Sequence, residues 1–503
     1  MNSSNIKNLI NYAYEYLDLN ENDELYVRNR LLEACFMEEY DDTISNESLI
    51  NVKGLDFPDP IINPILEELI KTGKILESEK EYYLCKIMDI ISLKPSEIES
   101  KFKTIYEKSS SDAFKWLHSY SEHNSYIKLS DIRKNLIWNV EDDKGGLVIT
   151  INLSKPEKSN SDVKKALTSV PKYPKCVICP ENMGYAGHGT TRQNLRGHNI
   201  TLGGDPWFWQ FSPYAYFNEH GIAINAKHTP MFVEEKNITN VLDFIDYVPE
   251  YFIGFNAALP IIGGSILAHD HYQGGRCSLP IFKSKDKYVF SCSKYPNVKI
   301  STLNWYNSVV RLKSTSREEV EALGQLLVTT WKKYDDEPNG IIAKTNVQHS
   351  SITCICRYEG KYIMDLILRN NAVSEEHPDG VFHAHAEYHN IKKEAIGLIE
   401  AGGMFILPAR LKRQLGEISV ILQSETVNLD DLADDMKVHR NMIQRLIDDN
   451  GLGLLESKAN EVIKLEIERI CREILYNTAV YKDNETGTKG FIKYLNSIGF
   501  ELI

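Results

Sequence analysis

The segment Gly263-Gly264-Ser265-Ile266-Leu267-Ala268-His269-Asp270-His271-Tyr272-Gln273-Gly274-Gly275 sets two imidazoles and a carboxamide at alternate positions between two glycine pairs. In an extended chain, residues two apart point to one face, so His269, His271 and Gln273 project together while Asp270 and Tyr272 face away. An unperturbed imidazole titrates near pH ~6.5, so at neutral pH such a histidine is mostly uncharged and can attack phosphorus without an activating base. A neighbouring glutamine offers N–H donors to a phosphoryl oxygen, and the glycines let backbone N–H groups approach a charged ligand. The competing reading is an ordinary metal pair, or a buried strand with two satisfied histidines.

A second chemical motif is Cys176-Val177-Ile178-Cys179-Pro180, a Cys-x-x-Cys knuckle followed by a glycine- and histidine-rich loop from Gly184 to Gly204. Such a pair holds zinc or acts in redox exchange, and Pro180 with the loop after it favours the metal. The knuckle supplies two of four ligands; His228 and His269 are the candidates for the others, with His220 and His188 as rivals. With His269 as a ligand, zinc would anchor the strand carrying His271 and support the chemistry structurally. Basic residues near these motifs (Arg192, Arg196, Lys227 and Arg276) suit an anionic small ligand.

The elements that must position these groups read as a mixed α+β chain. Up to about residue 140 the pattern is helical: Ile6 to Leu17, Glu24 to Met37, Ile61 to Thr72 and Glu97 to Tyr106 are amphipathic segments separated by Asn, Asp, Pro and Ser clusters. A charged turn at 141–146 leads into the β-rich run Leu147 to Leu153. The aromatic segment Trp207 to Asn225 reads mainly as core or sheet face, with a ring or two available to stack on a base or sugar. Ile238, Val241, Leu242, Ile245 and Val248 then recur at helical spacing ahead of a strand at Phe255-Asn256 and the His-x-His stretch.

That order recurs. A cap at Ser316 opens a helix with Val320, Leu323, Leu327 and Trp331 on one stripe, and alternation around Glu359-Gly360 predicts a hairpin. Cys354-x-Cys356 then reads as one strand face. After it, His383, His385, Glu387 and His389 form a second polar series at spacing two, so an internal duplication is expected. Glu387 stands where the first series has Gln273, so the second copy is expected to lack the phosphoryl chemistry, as a second metal site or a purely structural remnant. Beyond Leu407-Pro408-Ala409-Arg410 the chain turns helical again, with Asn428 to Asp448 and Lys458 to Tyr476 clearest.

Composition narrows the class. Among 503 residues, 42% hydrophobic and 25% charged is globular, and the longest apolar stretch, Tyr251 to Ala268, is broken by Asn256, Pro260 and two glycines, so no membrane span is expected. A net charge of −13 argues against a nucleic-acid partner, whose backbone is bound by Lys and Arg. Nine cysteines spread thinly suit a reducing compartment, and the N-terminus reads as a capped helix rather than a signal peptide, so a cytoplasmic protein is expected.

Cys176-x-x-Cys179, Arg192-Gln193-Asn194-Leu195, Pro206-Trp207-Phe208 to Asn218-Glu219-His220, His269 to Gly275 and His389-Asn390-Ile391-Lys392-Lys393-Glu394 to Pro408-Ala409-Arg410-Leu411 together resemble the second, bacterial class of galactose-1-phosphate uridylyltransferases. The resemblance runs from about residue 120 to 415. It implies two histidine-triad-like halves, antiparallel sheets with helices, at 141–300 and 301–410, flanked by helical regions at 1–140 and 411–503. It also implies UMP exchange between UDP-glucose and galactose 1-phosphate, giving UDP-galactose and glucose 1-phosphate, with His271 as nucleophile. By the same resemblance zinc falls on Cys176, Cys179, His228 and His269. Asn256, Gly264, Ser265 and Gln273 fall around the nucleotide phosphates, Arg192 among the substrate-binding residues, and Lys393 and Glu400 near the hexose. The expected partners are these sugar nucleotides and hexose 1-phosphates, with a homodimer left open. Two rivals stand beside this reading. One is a histidine-triad nucleotide hydrolase, whose pattern has a third histidine where Gln273 stands. The other is a non-enzymatic, zinc-stabilised sugar-nucleotide binding protein.

Overall fold

A computed structural model describes residues 2–45, 48–154, 173–187, 190–264, 266–344 and 349–503. His188 and Ser265 lie outside the described residues. The strands are β1 (Leu136–Val140), β2 (Leu147–Ile151), β3 (Gly197–Leu202), β4 (Asp205–Phe211), β5 (Gly221–Asn225), β6 (Phe252–Phe255), β7 (His271–Gly275), β8 (Asp286–Ser291), β9 (Lys299–Leu303), β10 (Val309–Ser314), β11 (Ser350–Tyr358), β12 (Tyr362–Asn370), β13 (Met404–Leu407) and β14 (Glu501–Leu502). With long helices at both ends, the fold is α+β.

The described residues form two compact units: Met1–Lys134, Lys165–Thr229 and Gln273–Gly275 make one, and Asn135–Lys164, Pro230–Tyr272 and Arg276–Ile503 the other. Strand β7 is divided, its first two residues counting with the second unit and its last three with the first.

In the first unit the amphipathic segments form helices at Ser3–Tyr16, Glu24–Ala34, Asp59–Lys71 and Pro95–Tyr106, each within a few residues of the expected bounds. The first is set by its cap: the Asn2 side chain accepts from the Asn5 N–H, stabilising the start by about 1 kcal/mol, and Ile6, Leu9, Ile10 and Ala13 are buried on one face. Two helices back the antiparallel strands β3-β4-β5. Phe102 stacks on His198 of β3 at 3.8 Å, and Phe114 meets Trp209 of β4 edge-on at 5.6 Å. Asn124 and Asn194 exchange amide-to-carbonyl hydrogen bonds of 2.7 and 2.8 Å, tying the helical layer to the turn before β3.

In the second unit β1-β2-β13 is a small sheet in which β13 runs parallel to β2. The predicted hairpin is present as β11 and β12, turning at Glu359-Gly360, with both faces buried, so Cys354 and Cys356 are core residues. Buried Asp365 of β12 is held by Arg311 at 2.5 Å and Arg357 at 2.9 Å, and these two guanidinium groups keep its carboxyl below the usual range despite complete burial.

The duplication is present in the topology. Three strands, a helix and two strands occur twice: β3-β4-β5, helix Glu235–Tyr247, β6-β7, and again β8-β9-β10, helix Arg317–Trp331, β11-β12. The sheet order is β3-β4-β5-β7-β6 in the first and β8-β9-β10-β12-β11 in the second. By this correspondence the counterpart of β7 is β12, and the histidine series at 383–389 is no strand. It folds as a short 3-10 turn at Ala386–Tyr388, where the His385 and His389 rings donate to local carbonyls of Val381 (3.1 Å) and Ala384 (3.0 Å). The helix expected over Asn428 to Asp448 begins only at Arg440. Asn428 caps a short 3-10 turn at Leu429–Asp431 instead, where acidic residues favour turns over helix interior.

Candidate active site

His271 opens β7 and is buried. Its Nδ1 lies 2.7 Å from the carbonyl oxygen of His269. A carbonyl only accepts, so Nδ1 carries the proton and donates, and the lone pair stands on Nε2. The residue two positions back therefore sets the tautomer through its backbone. Tyr272 takes the opposite side, as the alternation requires. Its hydroxyl accepts from Asn237 Nδ2 at 2.9 Å and Asn240 Nδ2 at 2.8 Å, both on the helix Glu235–Tyr247.

Gln273, two residues after His271, is oriented by a second histidine. His220 Nδ1 accepts the Tyr216 N–H at 3.3 Å, which leaves Nε2 protonated to donate to Gln273 Oε1 at 3.2 Å. With its oxygen engaged, the Gln273 amide presents its two N–H donors. Burial pushes the His220 pKa down to about 4, so the ring stays a neutral donor at working pH. The glycine after Gln273-Gly274 has a steric reason: Gly275 sits at φ +153°, and a Cβ there would collide with the Glu219 carbonyl. The sequence reading weighed His220 only as a rival metal ligand. Its pairing with Gln273 has no spacing signal, because the two are 53 positions apart.

Asn256, just after β6, is buried and clamped from two sides. Its Oδ1 accepts the Leu398 N–H at 2.7 Å, and a Cβ on Gly264 (φ +90°) would come within 3.1 Å of its Nδ2. Gly264 and Asn256 are thus brought together. Glu400 is nearly buried and receives Lys392 Nζ at 3.0 Å and the Gly397 N–H at 3.2 Å, so the lysine meeting it is Lys392, while Lys393 is exposed. Arg192 donates to the Tyr126 hydroxyl at 2.9 Å.

Cys176, Cys179, His228 and His269 form a four-residue group whose ligand atoms all lie within 4.8 Å of one another. The sulfurs of Cys176 and Cys179 are 3.4 Å apart, and Cys179 Sγ is 3.2 Å from His228 Nδ1. Asn182 fixes the knuckle by donating Nδ2 to the carbonyls of Cys176 (2.9 Å) and Cys179 (2.8 Å). Two sulfurs and two imidazoles are the donor set and number of a four-coordinate zinc site. Among the described residues no other group of three or more metal-ligating side chains converges, so the second histidine series does not assemble one. No helix among them is long and apolar enough to cross a membrane.

Residues 18–230 match the family model of galactose-1-phosphate uridyl transferase, N-terminal domain, and residues 240–439 that of its C-terminal domain. The chain is 37% identical to a galactose-1-phosphate uridylyltransferase of Caldanaerobacter subterraneus subsp. tengcongensis, covering 99% of this chain and 98% of the relative. It is equally 37% identical to proteins of the same description from Fusobacterium nucleatum, over 98% of both, and Bifidobacterium longum, over 99% of this chain and 98% of the other.

Proposed function

The chain belongs to the galactose-1-phosphate uridylyltransferase family, and from that premise we propose that it transfers UMP from UDP-glucose to galactose 1-phosphate through a uridylyl-histidine on His271. The observation that carries the intermediate is the His271 tautomer, with Nδ1–H donated to the His269 carbonyl at 2.7 Å and the lone pair therefore on Nε2. Nε2 attacks the α-phosphorus of UDP-glucose, a P–N bond forms, the bond to the β-phosphate oxygen breaks, and glucose 1-phosphate leaves. The imidazole becomes cationic on uridylylation, and its Nδ1–H bond to the carbonyl strengthens as it does. A phosphate oxygen of galactose 1-phosphate then attacks the same phosphorus, the P–N bond breaks, UDP-galactose forms and the ring returns to neutrality.

The Gln273 N–H donors, aimed by His220, stabilise charge on the phosphoryl oxygens in both steps. Asn256 and Gly264 contribute at the nucleotide phosphates, with Ser265 and Arg192 as further substrate contacts. Lys393 and Glu400 lie toward the hexose, where Lys392 sets the Glu400 carboxylate. Cys176, Cys179, His228 and His269 would hold one zinc ion, which when bound would supply a structural anchor and no reacting atom. Because His269 is both ligand and carbonyl partner of His271, the anchor fixes the nucleophile's orientation.

The test is exchange of label between UDP-glucose and glucose 1-phosphate with no galactose 1-phosphate present. Exchange is expected, with ping-pong kinetics. Obligatory ternary-complex kinetics without partial exchange would remove the covalent step.

A further inference from the structure

Arg369 lies on β12, the strand that in the second half corresponds to β7 in the first. It is fully buried. Its Nη1 donates to the Ile396 carbonyl at 2.9 Å, but Nε and Nη2, which share one edge of the guanidinium, are buried without an acceptor among the described residues. It makes no ion pair there either. The acid that acts on it electrostatically, Glu400, is engaged by Lys392 at 3.0 Å and by the Gly397 N–H. Burial lowers the Arg369 pKa to about 10, so the group is still charged at neutral pH. An unpaired buried charge costs several kcal/mol, and water meets the hydrogen bonds but brings no countercharge.

A second buried group, His383, lies within electrostatic reach of it. Both ring nitrogens of His383 are buried, and among the described residues neither meets a full hydrogen-bond partner, the Ala384 backbone being the polar group that approaches the ring. The chain brings it back to the end of β12 through the Val381 N–H, which donates to the Ala372 carbonyl at 2.8 Å. Burial first, then the charge of Arg369, lowers the His383 pKa to about 4, so the ring stays neutral and keeps one N–H to give. The guanidinium edge matches two oxygens side by side, and an imidazole N–H adds a third donor.

We infer that Arg369 and His383 form a binding site for a phosphate-class oxyanion, either the phosphoryl group of a sugar phosphate or free inorganic phosphate. The loop that Arg369 holds through Ile396 also holds Asn256 through the Leu398 N–H, so an anion here would stiffen the support of a proposed nucleotide contact. The site does not depend on the uridylyl-histidine reading, because inorganic phosphate alone probes it without turnover.

Calorimetric titration of the full chain with inorganic phosphate, against chloride at matched ionic strength, is the test. Saturable binding is expected, weakened about tenfold or more in Arg369→Met and in His383→Asn. Repeating it with galactose 1-phosphate separates the sources. If Arg369→Met weakens both ligands and the two compete, the site takes the sugar phosphate; if both bind at once, free phosphate is the ligand. Should Arg369→Met fail to fold, His383→Asn carries the comparison. Absence of saturable phosphate binding by the wild-type chain, or unchanged binding in a folded variant, overturns the inference and leaves water on the open donors.

Discussion

His220 and Gln273 are joined by one hydrogen bond of 3.2 Å, from Nε2–H to Oε1, and the Tyr216 N–H on the far side of the ring fixes its direction. The amide cannot flip without losing it. Replacing His220 by Ala should therefore leave Gln273 free to turn its oxygen toward the phosphoryl group. We expect kcat to fall about 10- to 100-fold, roughly 1.4–2.7 kcal/mol of transition-state stabilisation, with a smaller change in KM. Steady-state kinetics check this, and an unchanged kcat in a folded variant would show that Gln273 needs no orienting partner.

His271→Asn should abolish both complete transfer and partial exchange while the melting temperature stays near that of the wild type. Asn is polar and smaller but carries no comparable nucleophile. Mass spectrometry of digests kept away from acid, after incubation with UDP-glucose, should find UMP on the peptide containing His271. An adduct on any other peptide would reassign the nucleophile.

One equivalent of zinc per chain is expected by elemental analysis. The Cys176→Ser, Cys179→Ser double variant should lose it, with about 3 kcal/mol or more of stability. With no cation, the hydrogen bond to Cys176 and then burial push the Cys179 thiol well up, so in a stripped site that thiol is neutral at neutral pH. Equal melting curves for native and chelator-treated protein would refute a structural ion.

Much of this site was legible in the chain because strand periodicity is local. The alternation of His271, Tyr272 and Gln273 follows from the two-residue repeat of extended backbone, and the Cys-x-x-Cys spacing matches the bite of a metal ion. The second histidine series misled for the same reason, since spacing two at 383–389 mimics a strand that His385 and His389 convert to turn by bonding nearby carbonyls. The His220–Gln273 and Lys392–Glu400 contacts depend on how distant loops are packed, or on which of two adjacent lysines faces inward, and no local pattern encodes that.

Acid should destabilise the fold through its buried neutral histidines. His439 accepts from Asn390 Nδ2 at Nδ1 (3.3 Å) and donates from Nε2 to Gln414 Oε1 (3.1 Å). Burial, then Arg410, lowers its pKa to about 4. The unfolded chain protonates near pH ~6.5, so stability is intact above that value and is lost as pH falls from there to about 4, at roughly 1.4 kcal/mol per unit. Urea midpoints at pH 7 and pH 5 should show the loss, and His439→Gln should reduce it by about 2 kcal/mol. An unaltered pH dependence in that variant would mean His439 titrates normally.

The two amides on Tyr272 bear on how the chain reaches this arrangement at all. A strand that slips by one residue exchanges its faces, which here would turn His271, the proposed nucleophile, to the opposite face and present a phenol in its place. Asn237 and Asn240 both donate to the Tyr272 hydroxyl, and a slipped strand would carry that acceptor away from them. The helix Glu235–Tyr247 thereby favours the native alignment of the strand by two hydrogen bonds that a frameshifted pairing would forfeit.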